Sequence, residues 1–113
     1  MQSHSEIQLK VLQLLQVSPQ LNQREMADAL GVSLGKTNYC VKALIDKGHV
    51  KMQDFINSKN KLAYSYLLTP SGISQKAYLA KQFLNRKVLE YELLKQEIDS
   101  LKLEINTNIG VSL

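Results

Sequence analysis

Apolar residues recur at helical spacing from the start of the chain: Ile7, Val11, Leu14 and Leu15 share one face. They predict an amphipathic helix from about Ser5 to Gln16. Ser5 with Gln8 can satisfy the free amides at its start, and Pro19 disfavours helical geometry just beyond its end. Asn22 with Glu25 is a second capping pair, leading into Met26, Ala27, Ala29 and Leu30 before Gly31 supplies a left-handed stop. Ser33 can cap a third helix with Thr37, Val41 and Leu44 as its core positions, ending at Gly48. Two short helices joined by a tight turn containing glycine make a helix-turn-helix.

From Val50 the period changes to two. Val50 and Met52 alternate with Lys51 and Gln53, and Tyr64, Tyr66 and Leu68 alternate with Ala63, Ser65 and Leu67. The polar run Asn57 to Lys61 between them predicts a hairpin, placed as a wing after the third helix. Thr69-Pro70 is a helix start. Ile73, Ala77, Ala80, Leu84, Lys87, Tyr91, Leu94, Ile98, Leu101 and Ile105 then alternate spacings of four and three, the seam of a coiled coil. The expected class is mainly α with a small β-hairpin (α+β): a winged helix-turn-helix over 1–69, a long dimerisation helix over 70–105 and a disordered tail over 106–113.

Composition narrows the function. The chain has 113 residues, 44% hydrophobic and 21% charged, as for a globular domain with an appendage. Its apolar runs are too short for a membrane span, and its polar start lacks the apolar centre of a signal peptide. The single cysteine, Cys40, can form neither an internal disulfide nor a thiolate metal cluster, so no metal or cofactor and a cytoplasmic location are expected. Net charge is +4, and the stretch from Ser33 to Lys61, with six lysines against two aspartates, carries as much by itself. Such local excess suits a polyanion.

On the third helix Gly35, Tyr39 and Lys42 lie opposite the core residues, flanked by Lys36 and Asn38. Lysine and asparagine can hydrogen-bond base edges in the major groove, and glycine permits close approach. Ser33 can contact a phosphate as well as cap, and Lys59, Asn60 and Lys61 on the wing can follow the DNA backbone. The plain alternative is a solvated helix face and a soluble wing tip. The run Gly31 to Thr37 imitates a nucleotide phosphate loop, but has three residues between its glycines where that loop needs four. His4 and His49 lack ligand-spaced partners, Cys40 reads as a small buried hydrophobe, and Tyr64 and Tyr66 read as core. No nucleophile, base and orienting group occur together, so no enzyme is expected.

With Ile98 and Ile105 at heptad position a, and Leu94 and Leu101 at d, the seam favours a parallel two-stranded coil. Glu90, Glu97 and Glu104 then fall at g, and Lys95 and Lys102 at e. A parallel homodimer would pair Glu90 with Lys95 and Glu97 with Lys102 of the second copy, joining a seam that also includes Leu84 and Tyr91. These features imply a homodimeric reader of double-stranded DNA. An adaptor that uses the winged domain as scaffold and the coil for recruitment is the alternative.

The run TNYCVKALIDKGHVKMQDFINSKNKLAYSYLLTPSGI, from Thr37 to Ile73, resembles the MarR-type regulators associated with bacterial exopolysaccharide (EPS) gene clusters. LNQREMADALGVSLGK, from Leu21 to Lys36, fits the same pattern. The resemblance implies a winged-helix transcription factor acting near polysaccharide biosynthesis genes. Larger MarR-type proteins build their dimer from helices at both ends and often hold an aromatic acid between domain and dimer helices. This chain has essentially one long C-terminal helix, so no small-molecule ligand is expected.

Overall fold

A computed structural model describes residues 3–56, 59 and 61–109. The elements run in the order α1 (His4–Val17), α2 (Gln23–Leu30), α3 (Leu34–Asp46), β1 (Val50–Ile56), β2 (Leu62–Leu68) and α4 (Pro70–Ile109). The class is as expected: mainly helical, with one hairpin and one long C-terminal helix.

Helix α1 starts earlier than its pattern predicted. Ser3, not Ser5, is the cap, its hydroxyl accepting from the Glu6 N–H at 3.2 Å. Ser3 and Glu6 have the cap spacing, and an acid in the first turn opposes the positive end of the helix dipole. The helix buries Ile7, Gln8, Leu9, Val11, Leu12 and Leu15, a wider face than one stripe, whereas Leu14 is only half-buried. Gln8 is tolerated there because its Nε2 meets His4 Nε2 at 3.1 Å.

Helix α2 opens with the predicted reciprocal cap: Glu25 N–H donates to Asn22 Oδ1 at 2.8 Å, and Asn22 N–H donates to Glu25 Oε1 at 3.0 Å. It stops at Gly31, whose φ of 68° lets Val32 N–H reach Ala27 O and Gly31 N–H reach Asp28 O. Helix α3 ends the same way. Gly48 has φ 75°, His49 N–H donates to Leu44 O, and Gly48 N–H donates to Ile45 O.

Strands β1 and β2 pair antiparallel, from Val50 against Leu68 to Ile56 against Leu62. The predicted alternation reaches the core only at the base of the hairpin. Val50 and Tyr66 are buried, but Met52 and Tyr64 are exposed, so the expectation that Tyr64 packs in the core is corrected. A two-stranded ribbon has apolar partners only where helices lie behind it. Here that contact is fixed by Tyr66 N–H donating to Pro19 O at 2.8 Å.

The chain divides into two compact units, Met1–Ala80 and Lys81–Leu113. The first therefore extends past Thr69 and takes in the opening turns of α4. Thr69 caps that helix by accepting from the Gly72 N–H at 3.0 Å, while its own hydroxyl donates to Gly48 O. Ser71 donates to the same carbonyl at 3.0 Å, and Thr69 N–H donates to His49 O at 3.1 Å. Gly72 and Leu79 are buried against the domain, and Lys76 Nζ donates to Gln16 Oε1. A side chain at Gly72 would overlap the His49 carbonyl, whose carbon would lie 2.9 Å from the new Cβ. Ile73 and Ala77, from the predicted seam, are exposed.

In the second unit Leu84, Tyr91, Leu94, Ile98 and Leu101 are exposed on the single chain, and Ile105 is half-buried. Lys87, the polar member of the seam, pairs with Glu90 at 3.1 Å and lies 5.1 Å from the Phe83 ring centroid. Glu90, expected to face Lys95 of a second copy, thus has a partner on its own helix, though an exposed pair contributes only about 0–1 kcal/mol. Helix α4 continues to Ile109, so residues 106–109, read as part of a disordered tail, are helical. Between Gly72 and Gly110 the sequence has no proline or glycine to interrupt the helix. The rest of the expected tail, 110–113, lies outside the described residues. Among the described residues no helix is long and apolar enough to cross a membrane.

Candidate nucleic-acid interface

Helix α3 is held from behind and open in front. Thr37, Cys40, Val41 and Leu44 are buried, and burying a side chain the size of Leu44 is worth about 1.5–3 kcal/mol. Thr37 can sit there because its hydroxyl donates to Ser33 O at 3.0 Å. Ser33 is the cap, its Oγ accepting from the Lys36 N–H at 3.1 Å. Its hydroxyl proton is left to donate elsewhere, at a helix N-terminus where backbone amides favour an anion.

Gly35, Lys36, Asn38, Tyr39 and Lys42 are all exposed. Gly35 faces open space, with nothing nearer to an added Cβ than Ser33 Oγ at 4.0 Å. Tyr39 is 66% exposed, and its ring meets His4 edge to face at 5.5 Å between centroids. His4, read as a surface residue, therefore braces a candidate contact residue from α1. Gly35, Lys36 and Tyr39 also border a groove of about 350 Å³ with His4, Ile7 and Cys40.

Asn38 turns away from that groove. Its Nδ2 donates to Gln23 Oε1 at 2.9 Å, and Gln23 Nε2 donates to the Tyr66 hydroxyl at 3.4 Å. Neither Gln23 nor Tyr66 was legible as part of the site. Gln23 is simply the first residue of α2, and the contacts span 15 and 43 residues of sequence. A second cleft, of about 450 Å³, lies between the start of α2 and the wing, lined by Gln20, Asn22, Phe55 and Tyr64 among others.

Lys59 and Lys61 are exposed beside the turn of the wing, and Asn60 lies outside the described residues. Cys40 is 1% exposed, and burial pushes its thiol up to about 11 by disfavouring the thiolate. It is the small buried hydrophobe the sequence predicted.

Residues 4–51, which hold α1, the helix-turn-helix and the first residues of β1, match a family described as winged helix-turn-helix DNA-binding. The fold they build is that of a winged helix-turn-helix. No curated protein matches the chain significantly. Among solved structures the chain is similar to a MarR transcriptional regulator from Methanosarcina mazei Go1, with TM-score 0.60 and 20% identity, covering 93% of this chain and 78% of that one. It is also similar to the transcriptional repressor CouR bound to a 23-mer DNA duplex, with TM-score 0.63 and 24% identity over 91% of this chain and 72% of that one. A third likeness is to the adhesin competence repressor AdcR of Streptococcus pyogenes, with TM-score 0.59 and 19% identity over 91% and 74%. At these identities the likeness is one of fold: a winged helix-turn-helix with a long helix after the wing.

Proposed function

We propose that this chain is a sequence-specific, DNA-binding transcriptional regulator that acts as a homodimer and is not an enzyme. The observation that carries the reading is the two-sided build of α3. One side is locked into the core by Thr37, Cys40, Val41 and Leu44, and the other presents Gly35, Lys36, Asn38, Tyr39 and Lys42 to solvent. A helix so presented, with a tight turn before it and a wing after it, has the arrangement that enters the major groove. Lys36, Asn38, Tyr39 and Lys42 would read base edges, Ser33 would meet a phosphate, and Lys59, Asn60 and Lys61 would follow the backbone. The fold neighbour bound to a 23-mer DNA duplex supports the reading.

Dimerisation follows from the exposed seam of α4, with Leu84, Tyr91, Leu94, Ile98, Leu101 and Ile105 meeting a second copy in a parallel coil. Glu97 with Lys102, and Glu90 with Lys95 once it gives up Lys87, would fix the register. Two recognition helices would then read a two-fold symmetric site. Regulation of exopolysaccharide genes is the biological role proposed, on the resemblance of the Thr37 to Ile73 run.

Fluorescence anisotropy with a randomised duplex pool and with the promoter region of the adjoining genes tests this, across a salt series. Binding that prefers one sequence, and weakens log-linearly with salt, is the expected result. Absence of any salt-dependent DNA binding, together with one stoichiometric protein partner, would replace the proposal with the adaptor.

A further inference from the structure

Gln23 joins the recognition helix to the wing. Its Oε1 accepts from Asn38 Nδ2 at 2.9 Å on α3, and its Nε2 donates to the Tyr66 hydroxyl at 3.4 Å on β2. Tyr66 is itself fixed: the residue is 6% exposed and its backbone N–H holds Pro19 O at 2.8 Å. A relay therefore runs from a buried ring, through the half-buried Gln23 amide, to the exposed amide of Asn38.

The chemistry of that last amide gives the relay a use. A carboxamide has two N–H donors and one acceptor oxygen, and a freely turning one presents its edge in either sense. Asn38 gives one N–H to Gln23 and keeps the other together with Oδ1. One donor beside one acceptor complements the N7 acceptor and N6 amine of adenine in the major groove. Ordering the side chain before it meets DNA also removes an entropy cost from binding.

We propose that Gln23 is a positioning residue for base recognition: anchored by Tyr66, it holds the Asn38 amide in the orientation that reads adenine. This rests on the DNA-binding reading above, and the experiment separates the two. The full-length protein is used to select from a randomised duplex pool, and affinity is then measured for the enriched duplex and for copies with each base pair replaced in turn. Asn38→Ala should erase the preference at one A·T pair in each half-site. Gln23→Leu, which keeps bulk but no polar group, should cut the preference at that same pair by about tenfold, within the range of one bidentate base contact. Gln23→Glu still offers an acceptor to Asn38, so it should keep the preference while weakening binding to every sequence through added negative charge. Adding Gln23→Leu to Asn38→Ala should change nothing further at that pair. Tyr66→Phe, with thermal melting to confirm folding, should reproduce a smaller loss at the same position.

Retention of the full preference in both Gln23→Leu and Tyr66→Phe would overturn the relay while leaving DNA reading by Asn38 intact. A loss spread evenly over all base pairs would overturn it equally. Preference untouched by Asn38→Ala would overturn the role of Asn38 and the relay together.

Discussion

Replacing Gly72 with alanine tests how closely α4 docks against the end of the recognition helix. The new methyl group would overlap the His49 carbonyl, with the carbonyl carbon at 2.9 Å and Cα at 3.3 Å. All three atoms are backbone, so no flexible side chain can give way. Overpacking of this kind costs about 1–3 kcal/mol. The displaced carbonyl would also lose the Thr69 N–H, a bond worth about 0.5–1.5 kcal/mol. Against this, alanine gains up to about 1 kcal/mol of helix propensity over glycine. The net expectation is a loss of about 2–3 kcal/mol, which for a unit of this size lowers Tm by roughly 10–20 °C. Thermal and urea denaturation followed by circular dichroism measure it. Gly35→Ala is the control: it too lies in a helix, but faces open space, and should raise stability by up to about 1 kcal/mol. If Gly72→Ala matched Gly35→Ala in Tm, the close approach would be refuted.

Cys40 carries a pH signature. Its thiol keeps its proton to about 11 in the folded state, whereas an unfolded cysteine titrates near pH 8.5. Between those values the unfolded chain releases a proton that the folded one retains, so stability is full below about pH 8.5 and falls as pH rises through about 11, by on the order of 3 kcal/mol. Urea midpoints should show this alkaline loss in the wild type and a shallower one in Cys40→Ala. Leu101→Lys should leave the melting of the winged domain unchanged, since Leu101 is exposed on the single chain, but should shift sedimentation equilibrium to monomer. In anisotropy titrations Lys36→Ala should relax sequence preference, and Lys59→Ala should weaken all sequences alike; equal effects of both everywhere would contradict that division.

Local signals were legible and tertiary ones were not. Asn22 with Glu25, Gly31, Ser33 and Thr69 each act within a few residues of their partners, and each sits at the helix end that its chemistry predicted. Ser5 lost the first cap to Ser3 because two serines compete for one helix start and only one can precede it. Met52 and Tyr64 misled because alternation marks a strand whether or not anything lies behind it. Gly72 reads as a poor helix residue until the His49 carbonyl is placed beside it. The recognition face came from the helical wheel, but Gln23 and Tyr66 enter the site only once α2, α3 and β2 are folded together.

The burial of Cys40 makes the protein its own reporter of opening. A thiol reagent reaches that sulfur when the packing between α1 and α3 opens, so the labelling rate equals the intrinsic thiol rate multiplied by the fraction of time spent open. Tyr39, next in the chain, lies on the exposed face proposed to meet DNA. A bound duplex should hold the helix down and slow labelling. The single cysteine thus turns occupancy of the groove-facing side into a chemical clock on the hidden one, readable with no dye or engineered residue.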